Sequence, residues 1–203
     1  MIAIQQALFD HVFTTEVYEQ HPDLLTNFVF QSCNHFPGFI APPIDSATTY
    51  TRTIRADFAD PWGINPAYSI NGLNTEHAAR PTGYYLAPGS IAKVRVPNEL
   101  VNQGYSVLVG AHTWDLYNKP TITRLHRIRK VFPITSTETT IFNPLGGAII
   151  IQVPFGADDG LVQIEAENVV QAPFFSTKSF DNTSLNDWYN ICLLYTSPSP
   201  RDS

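Results

Sequence analysis

A metal centre in this 203-residue sequence would draw on six histidines, two cysteines and eighteen acidic side chains, and a nucleophilic site on a cysteine or an activated serine. The histidines are His11, His21, His35, His77, His112 and His126, and no two lie four residues apart. None can therefore place paired ligands on one helical face, as a His-Glu-x-x-His motif does. His112, Asp115 and His126 could meet only if neighbouring strands brought them together; otherwise each reads as a hydrogen-bonded structural residue. No Gly-x-Ser-x-Gly elbow occurs, and Cys33 has only His35 nearby, so Cys33 reads as a small buried apolar residue. The turn Asn143-Pro144-Leu145-Gly146-Gly147 lacks the Lys-Ser/Thr that would make it a phosphate loop, and its glycines suit a tight turn into a strand at Ile149. Asp158-Asp159 sits between glycines and reads as a solvated turn. The residues supply no catalytic group and no metal ligand set.

Aromatic side chains are the remaining lead. They make up 12% of the chain, and Trp62, Tyr84, Tyr85, Trp114 and Tyr117 fall in or beside loops. Stacking on sugar rings uses such residues, so Trp114, Tyr84 and Tyr117 are candidates for glycan contact, with core anchoring as the competing role. The background composition is globular, with 43% hydrophobic and 15% charged residues. A net charge of −6 and the lack of any Lys/Arg run argue against nucleic acid as a partner. The longest aliphatic run, Ala148-Ile149-Ile150-Ile151, is far short of the roughly 20 residues of a membrane helix. The first residues show no signal-peptide pattern.

The elements that must position these groups follow from periodicity. Residues 2 to about 30 read as helical, with Ile4, Leu8 and Val12 on an apolar stripe beside Phe9 and Phe13, broken at His21-Pro22-Asp23. From Phe36 to Arg80 the chain is rich in Pro, Gly, Asn, Thr and Ser, and Thr49 to Phe58 offers an isolated strand. After Pro81 the period becomes two. Ala92, Val94 and Val96 alternate with Lys93 and Arg95; Ser106 to Ala111 is a central-strand run; Leu125 to Phe132 suits an edge strand. Thr139 to Phe142, the face Ile149/Ile151/Val153 and the face Val162/Ile164/Ala166 complete the set. Short strands separated by turn signals predict a mainly β chain, a β-sandwich preceded by a short helical segment and a long linker.

The expected organisation is a helical lead-in over 1–35, a loop-rich connector over 36–80, the sandwich over 81–191 and a tail over 192–203. The tail, from Cys192 through Pro198 and Pro200 to Ser203, resembles translated sequencing adaptor. The natural text is therefore expected to stop near Ile191, leaving Cys33 as the one genuine cysteine and no disulfide.

Five motifs stand in order: Pro81-Thr82-Gly83-Tyr84-Tyr85-Leu86-Ala87-Pro88-Gly89, Val109-Gly110-Ala111-His112-Thr113-Trp114-Asp115-Leu116, the turn at Asn143 to Gly147, Val153-Pro154-Phe155-Gly156, and Ala172-Pro173-Phe174-Phe175. Together they resemble the opening part of the enhancin-like zinc metallopeptidases (peptidase family M-sixty), of the bacterial mucin-degrading and immunomodulating kind, from about Phe36 to Trp188. The resemblance implies a β-sandwich accessory region packed against a later catalytic domain that carries His-Glu-x-x-His and zinc. It also implies mucin-type, O-glycosylated substrates and an extracellular or cell-surface location. Since the catalytic motif lies beyond the matching region, the chain alone is expected to be inactive and to hold no cofactor, zinc belonging to the parent. The competing reading is a glycan-binding or adhesin-type sandwich without enzymatic activity.

Overall fold

The computed structural model describes residues 2–58, 77–110 and 124–172. Three short helices lead in: α1 (Ile2–His11), α2 (Thr15–Gln20) and α3 (Pro22–Leu25). Nine strands follow: β1 (Thr49–Asp57), β2 (His77–Leu86), β3 (Ile91–Arg95), β4 (Ser106–Val109), β5 (Lys130–Pro133), β6 (Glu138–Phe142), β7 (Gly147–Pro154), β8 (Asp158–Glu167) and β9 (Val170–Gln171). They form two antiparallel sheets in a sandwich, with strand order β1-β8-β3-β6 in one and β5-β4-β7-β2-β9 in the other. The mainly β expectation holds.

The period-two patterns land as the alternation dictates. On β7 the side chains of Ile149, Ile151 and Val153 are buried between the sheets, while Ile150 and Gln152 face outward. On β3, Ala92 and Val94 go inward and Lys93 and Arg95 outward. Strand β4 is buried along its whole length between β5 and β7, and β5 is an edge strand, as its mixed basic and apolar composition suggests. It is shorter than the Leu125–Phe132 run, beginning at Lys130.

Two expectations fail. Thr49–Asp57 is not an isolated strand: it pairs with β8 from Thr49↔Glu167 to Asp57↔Asp158 and forms one edge of the four-stranded sheet. Its inward residues Ile54 and Ala56 join the core, so the sandwich takes in part of the stretch read as connector, and β2 likewise begins at His77. The helical stripe is also turned over. Phe9 and Phe13 are buried with Gln6, whereas Ile4 and Leu8 are 66% and 37% exposed. Gln6 decides this: its amide donates to the Arg127 carbonyl (3.1 Å) and accepts from the Arg127 N–H (3.1 Å), tying that face of α1 to the chain before β5. The break at His21-Pro22 falls where expected, and a further break after His11 leaves three short helices rather than two. Thr14 caps α2, its hydroxyl accepting from the Val17 N–H at 3.3 Å.

The helices close one end of the sandwich. Tyr18 stacks on Phe142 (4.9 Å), and the Phe30 N–H donates to the Pro144 carbonyl (3.3 Å). That end is organised by the turn before β7, where Gly146 and Gly147 have φ of +65° and +139°. A Cβ on Gly147 would lie 2.6 Å from the Gly110 Cα, so the turn admits no side chain there.

Candidate functional site

Tyr84 does not face a ligand. It pairs opposite Ile149, whose side chain points between the sheets, and it is only 2% exposed. A bulge before it, between Pro81 and Tyr84, is closed by Thr82, whose hydroxyl donates to the Ile149 carbonyl (2.7 Å) and accepts from the Tyr84 N–H (3.1 Å). Tyr50 and Arg52 pack over the Tyr84 ring, and burial therefore removes Tyr84 from the glycan candidates. Tyr85 points to the other face and donates to the Gly38 carbonyl (3.2 Å), under Ile40. Trp114 and Tyr117 lie outside the described residues, as do Trp62, His112, Asp115 and Cys192.

Cys33 is buried in the core, and loss of solvation pushes its thiol up, away from the thiolate a nucleophile needs. His126 is buried too. Among the described residues no three His, Cys, Asp or Glu side chains come together as a zinc centre would require. The described residues therefore bring together no donor set for that metal. The acidic turn is not purely solvated: Asp159 accepts from the Tyr105 hydroxyl (2.5 Å), and Asp57 accepts from the Gly160 N–H (2.5 Å). Arg55 is 2.7 Å from Asp57 and holds that carboxyl below its ordinary range.

The two outer faces differ sharply. On the four-stranded sheet the strand register aligns Thr51, Glu165, Arg95 and Glu138 in one row across β1, β8, β3 and β6. Thr49, Glu167, Lys93 and Thr140 form the next row. Arg95 reaches Glu167 (2.6 Å) and Glu138 (2.8 Å), and Lys93 reaches Glu138 (3.0 Å). These pairings hold the Arg95 guanidinium above, and the Glu138 carboxyl below, their ordinary values. A cleft of about 500 Å³ at one end of this face is lined by Arg95, Pro97, Thr137, Glu138, Gln163 and Glu165. Alternating charges and threonines make a surface stable in water.

On the five-stranded sheet the corresponding row is Val131, Leu108, Ile150 and Pro81, crossing β5, β4, β7 and β2. Beside it run Pro133, Ser106, Gln152 and Ala79, with the Ser106 hydroxyl 2.8 Å from the Gln152 side-chain oxygen. Val131, Pro133, Pro81 and Ala79, toward the ends of these rows, are exposed, whereas Leu108 and Ser106 at their centre are already buried. This row carries no charge. Sequence reading missed it because each outward residue looks unremarkable in its own strand; only the register across four strands assembles them.

A family profile described as the N-terminal domain of M60-like peptidases matches residues 45–167, from the turn before β1 to the end of β8. The TRPM8 channel-associated factor homolog of Danio rerio is 31% identical over 119 residues, 59% of this chain and 12% of that protein. TRPM8 channel-associated factor 3 of Rattus norvegicus is 30% identical over 110 residues, 54% of this chain and 12% of its own length. The chain thus spans about an eighth of these curated relatives. Among solved structures, the IMPa metallopeptidase in complex with T-antigen shares the fold with a TM-score of 0.54 at 14% identity, over 85% of this chain and 17% of that one. Since the profile match takes in every strand from β1 to β8, the chain belongs to the M60-like peptidase family and carries its N-terminal domain.

Proposed function

We propose that the chain is the non-catalytic N-terminal part of a zinc metallopeptidase that hydrolyses O-glycosylated, mucin-type glycoproteins outside the cell or at its surface. Within that parent it acts as a scaffold, docking the outer face of the five-stranded sheet against the catalytic domain. The observation that carries this reading is the contrast between the faces: an uncharged row through Val131, Leu108, Ile150 and Pro81 on one, a lattice of Lys93, Arg95, Glu138 and Glu167 on the other. The exposed members of the uncharged row, Val131 and Pro81, gain by removal from water, whereas a charge lattice loses its hydration when covered. Family membership and the T-antigen-bound metallopeptidase of the same fold support the choice of parent and substrate.

Two measurements test it. The purified chain should cleave no mucin with or without added zinc; metal-dependent cleavage would overturn the non-catalytic role. Sequencing the source DNA across the codon for Ile191 should show the frame continuing into a His-Glu-x-x-His helix and a later Glu. A gene that ends without them removes the peptidase reading and leaves a binding or structural sandwich. In that second reading Trp114 and Tyr117 hold glycans, and Trp114→Ala should abolish retention on a glycan array; unchanged retention excludes Trp114.

A further inference from the structure

We infer that the cleft on the outer face of the four-stranded sheet takes a lysine or arginine side chain carried on an extended peptide segment of a partner protein. The inference is independent of the peptidase reading.

The cleft exists because β3 stops before its neighbours. β8 starts at Asp158, but β3 pairs with it only at Arg95↔Glu165, Val94↔Ala166 and Lys93↔Glu167. The Val96 N–H donates to the Thr137 carbonyl at 2.9 Å, so the main chain of Val96 faces β6 and that of Arg95, one residue earlier, faces β8. Glu165 therefore bonds toward β3. By the alternation of a strand, Gln163 turns its N–H and C=O the same way. Pro97 stands opposite Gln163 when the register is continued. It has no N–H to give, and its carbonyl already accepts from the Leu100 N–H (3.2 Å). Among the described residues both main-chain groups of Gln163 are thus left to water.

The side chains around this gap state the chemistry of the ligand. Described residues alone line the cleft. On this face Lys93 and Arg95 meet three carboxylates, and their ion pairs go to Glu138 and Glu167. Glu165, the third, lies opposite Arg95 in register, yet among the described residues its carboxylate has no ion pair or hydrogen-bond partner. One negative charge is therefore uncompensated, in a cleft whose wall also offers a free main-chain donor and acceptor at Gln163. An ammonium or guanidinium answers the charge. The Gln163 N–H asks for a carbonyl, which a peptide supplies and a bare polyamine lacks. Main-chain pairing along a strand with one side chain seated in a pocket is an established way of binding extended peptides. A single pairing residue and a half-exposed carboxylate make the binding weak and sensitive to salt.

The test titrates the whole isotope-labelled chain, at low salt, with a blocked Thr-Val-Lys-Val-Thr peptide followed by NMR. Saturable shifts of the Gln163 and Glu165 amide signals are expected; no saturable shift, or shifts confined to other residues, overturns the proposal. Exchanging the peptide's lysine for glutamate should weaken binding at least ~10-fold, and equal binding removes the charge argument. Spermidine, which has the charge and no carbonyl, should compete poorly; if it binds as tightly as the peptide, the cleft is a bare cation site and the peptide claim falls. Glu165→Gln alters a side chain without a partner, so it should not lower the melting temperature while it weakens peptide binding at least ~10-fold. Undiminished binding overturns the role of Glu165, and the peptide exchanges read the same site without depending on that variant.

Discussion

The Asn143 side chain donates to the main-chain carbonyl of Ile128 at 2.8 Å, fixing the approach to β5 against the turn that enters β7. The same amide reaches the Val109 carbonyl (3.2 Å), and its oxygen accepts from the Leu145 N–H (2.9 Å). The Asn143 main chain also takes part, its carbonyl accepting from Gly89 (3.1 Å) and Gly146 (2.9 Å). One buried residue therefore satisfies main-chain groups of its own turn and of three other stretches, at Gly89, Val109 and Ile128, at the end of the sandwich that the helices close.

Replacing Asn143 with Ala should leave the Ile128 carbonyl and the Leu145 N–H buried without their partner. Each such group costs about 1–3 kcal/mol, so a loss of about 2–4 kcal/mol is expected in urea denaturation. Asn143→Asp should be worse, since a carboxylate would face two carbonyl oxygens. A loss no larger than that of an exposed substitution would show that water replaces the amide.

Arg95 leads to the opposite expectation. Its two ion pairs, to Glu167 and Glu138, lie on the exposed face of the four-stranded sheet, where solvent and salt screen them. Arg95→Ala should lower the melting temperature only slightly at low salt, and the difference should vanish in high salt. The Glu138 carboxyl is held below its ordinary value of 4.5 by Lys93 and then Arg95. Its contribution is thus complete above that value and lost as pH falls through the lowered one. Melting curves from pH 6 to 3, about three units spanning the carboxylate range, should converge between the parent chain and Glu138→Gln at the acid end.

The strands were legible because one wet face and one dry face write themselves as alternation. Lys93 and Arg95 between Ala92, Val94 and Val96 announce β3, and Gln163, Glu165 and Glu167 announce β8. The partner of β1 was not legible, since Thr49–Asp57 alternates threonine with mixed residues and its place depends on pairing with β8, about 110 residues later. The buried face of α1 was misread because Gln6, a polar residue, is anchored by Arg127 while Ile4 and Leu8 stay outside. Tyr84 looked like a loop aromatic beside glycine, but the Thr82 bulge and the register with Ile149 make it a core residue. The uncharged row on the five-stranded sheet needed four strands in register before it existed at all.

Lys130 offers a pH test of how α1 is held. Its ammonium donates to the Phe9 carbonyl (2.5 Å) and sits 4.2 Å from the centre of the Phe9 ring. Burial lowers its pKa from 10.5 to about 8, against the pull of Asp10. Between those values the unfolded chain holds a proton that the folded chain has released. Stability from this group therefore rises with pH across the interval and is reduced by a constant amount below it. Lys130→Met lacks the titration. Whatever its offset at neutral pH, the melting temperature of the parent chain should gain on that of the variant as pH rises from about 8 to about 10.5. Parallel curves over that interval would mean that the Lys130 amine is solvated and that burial against Phe9 does not perturb it.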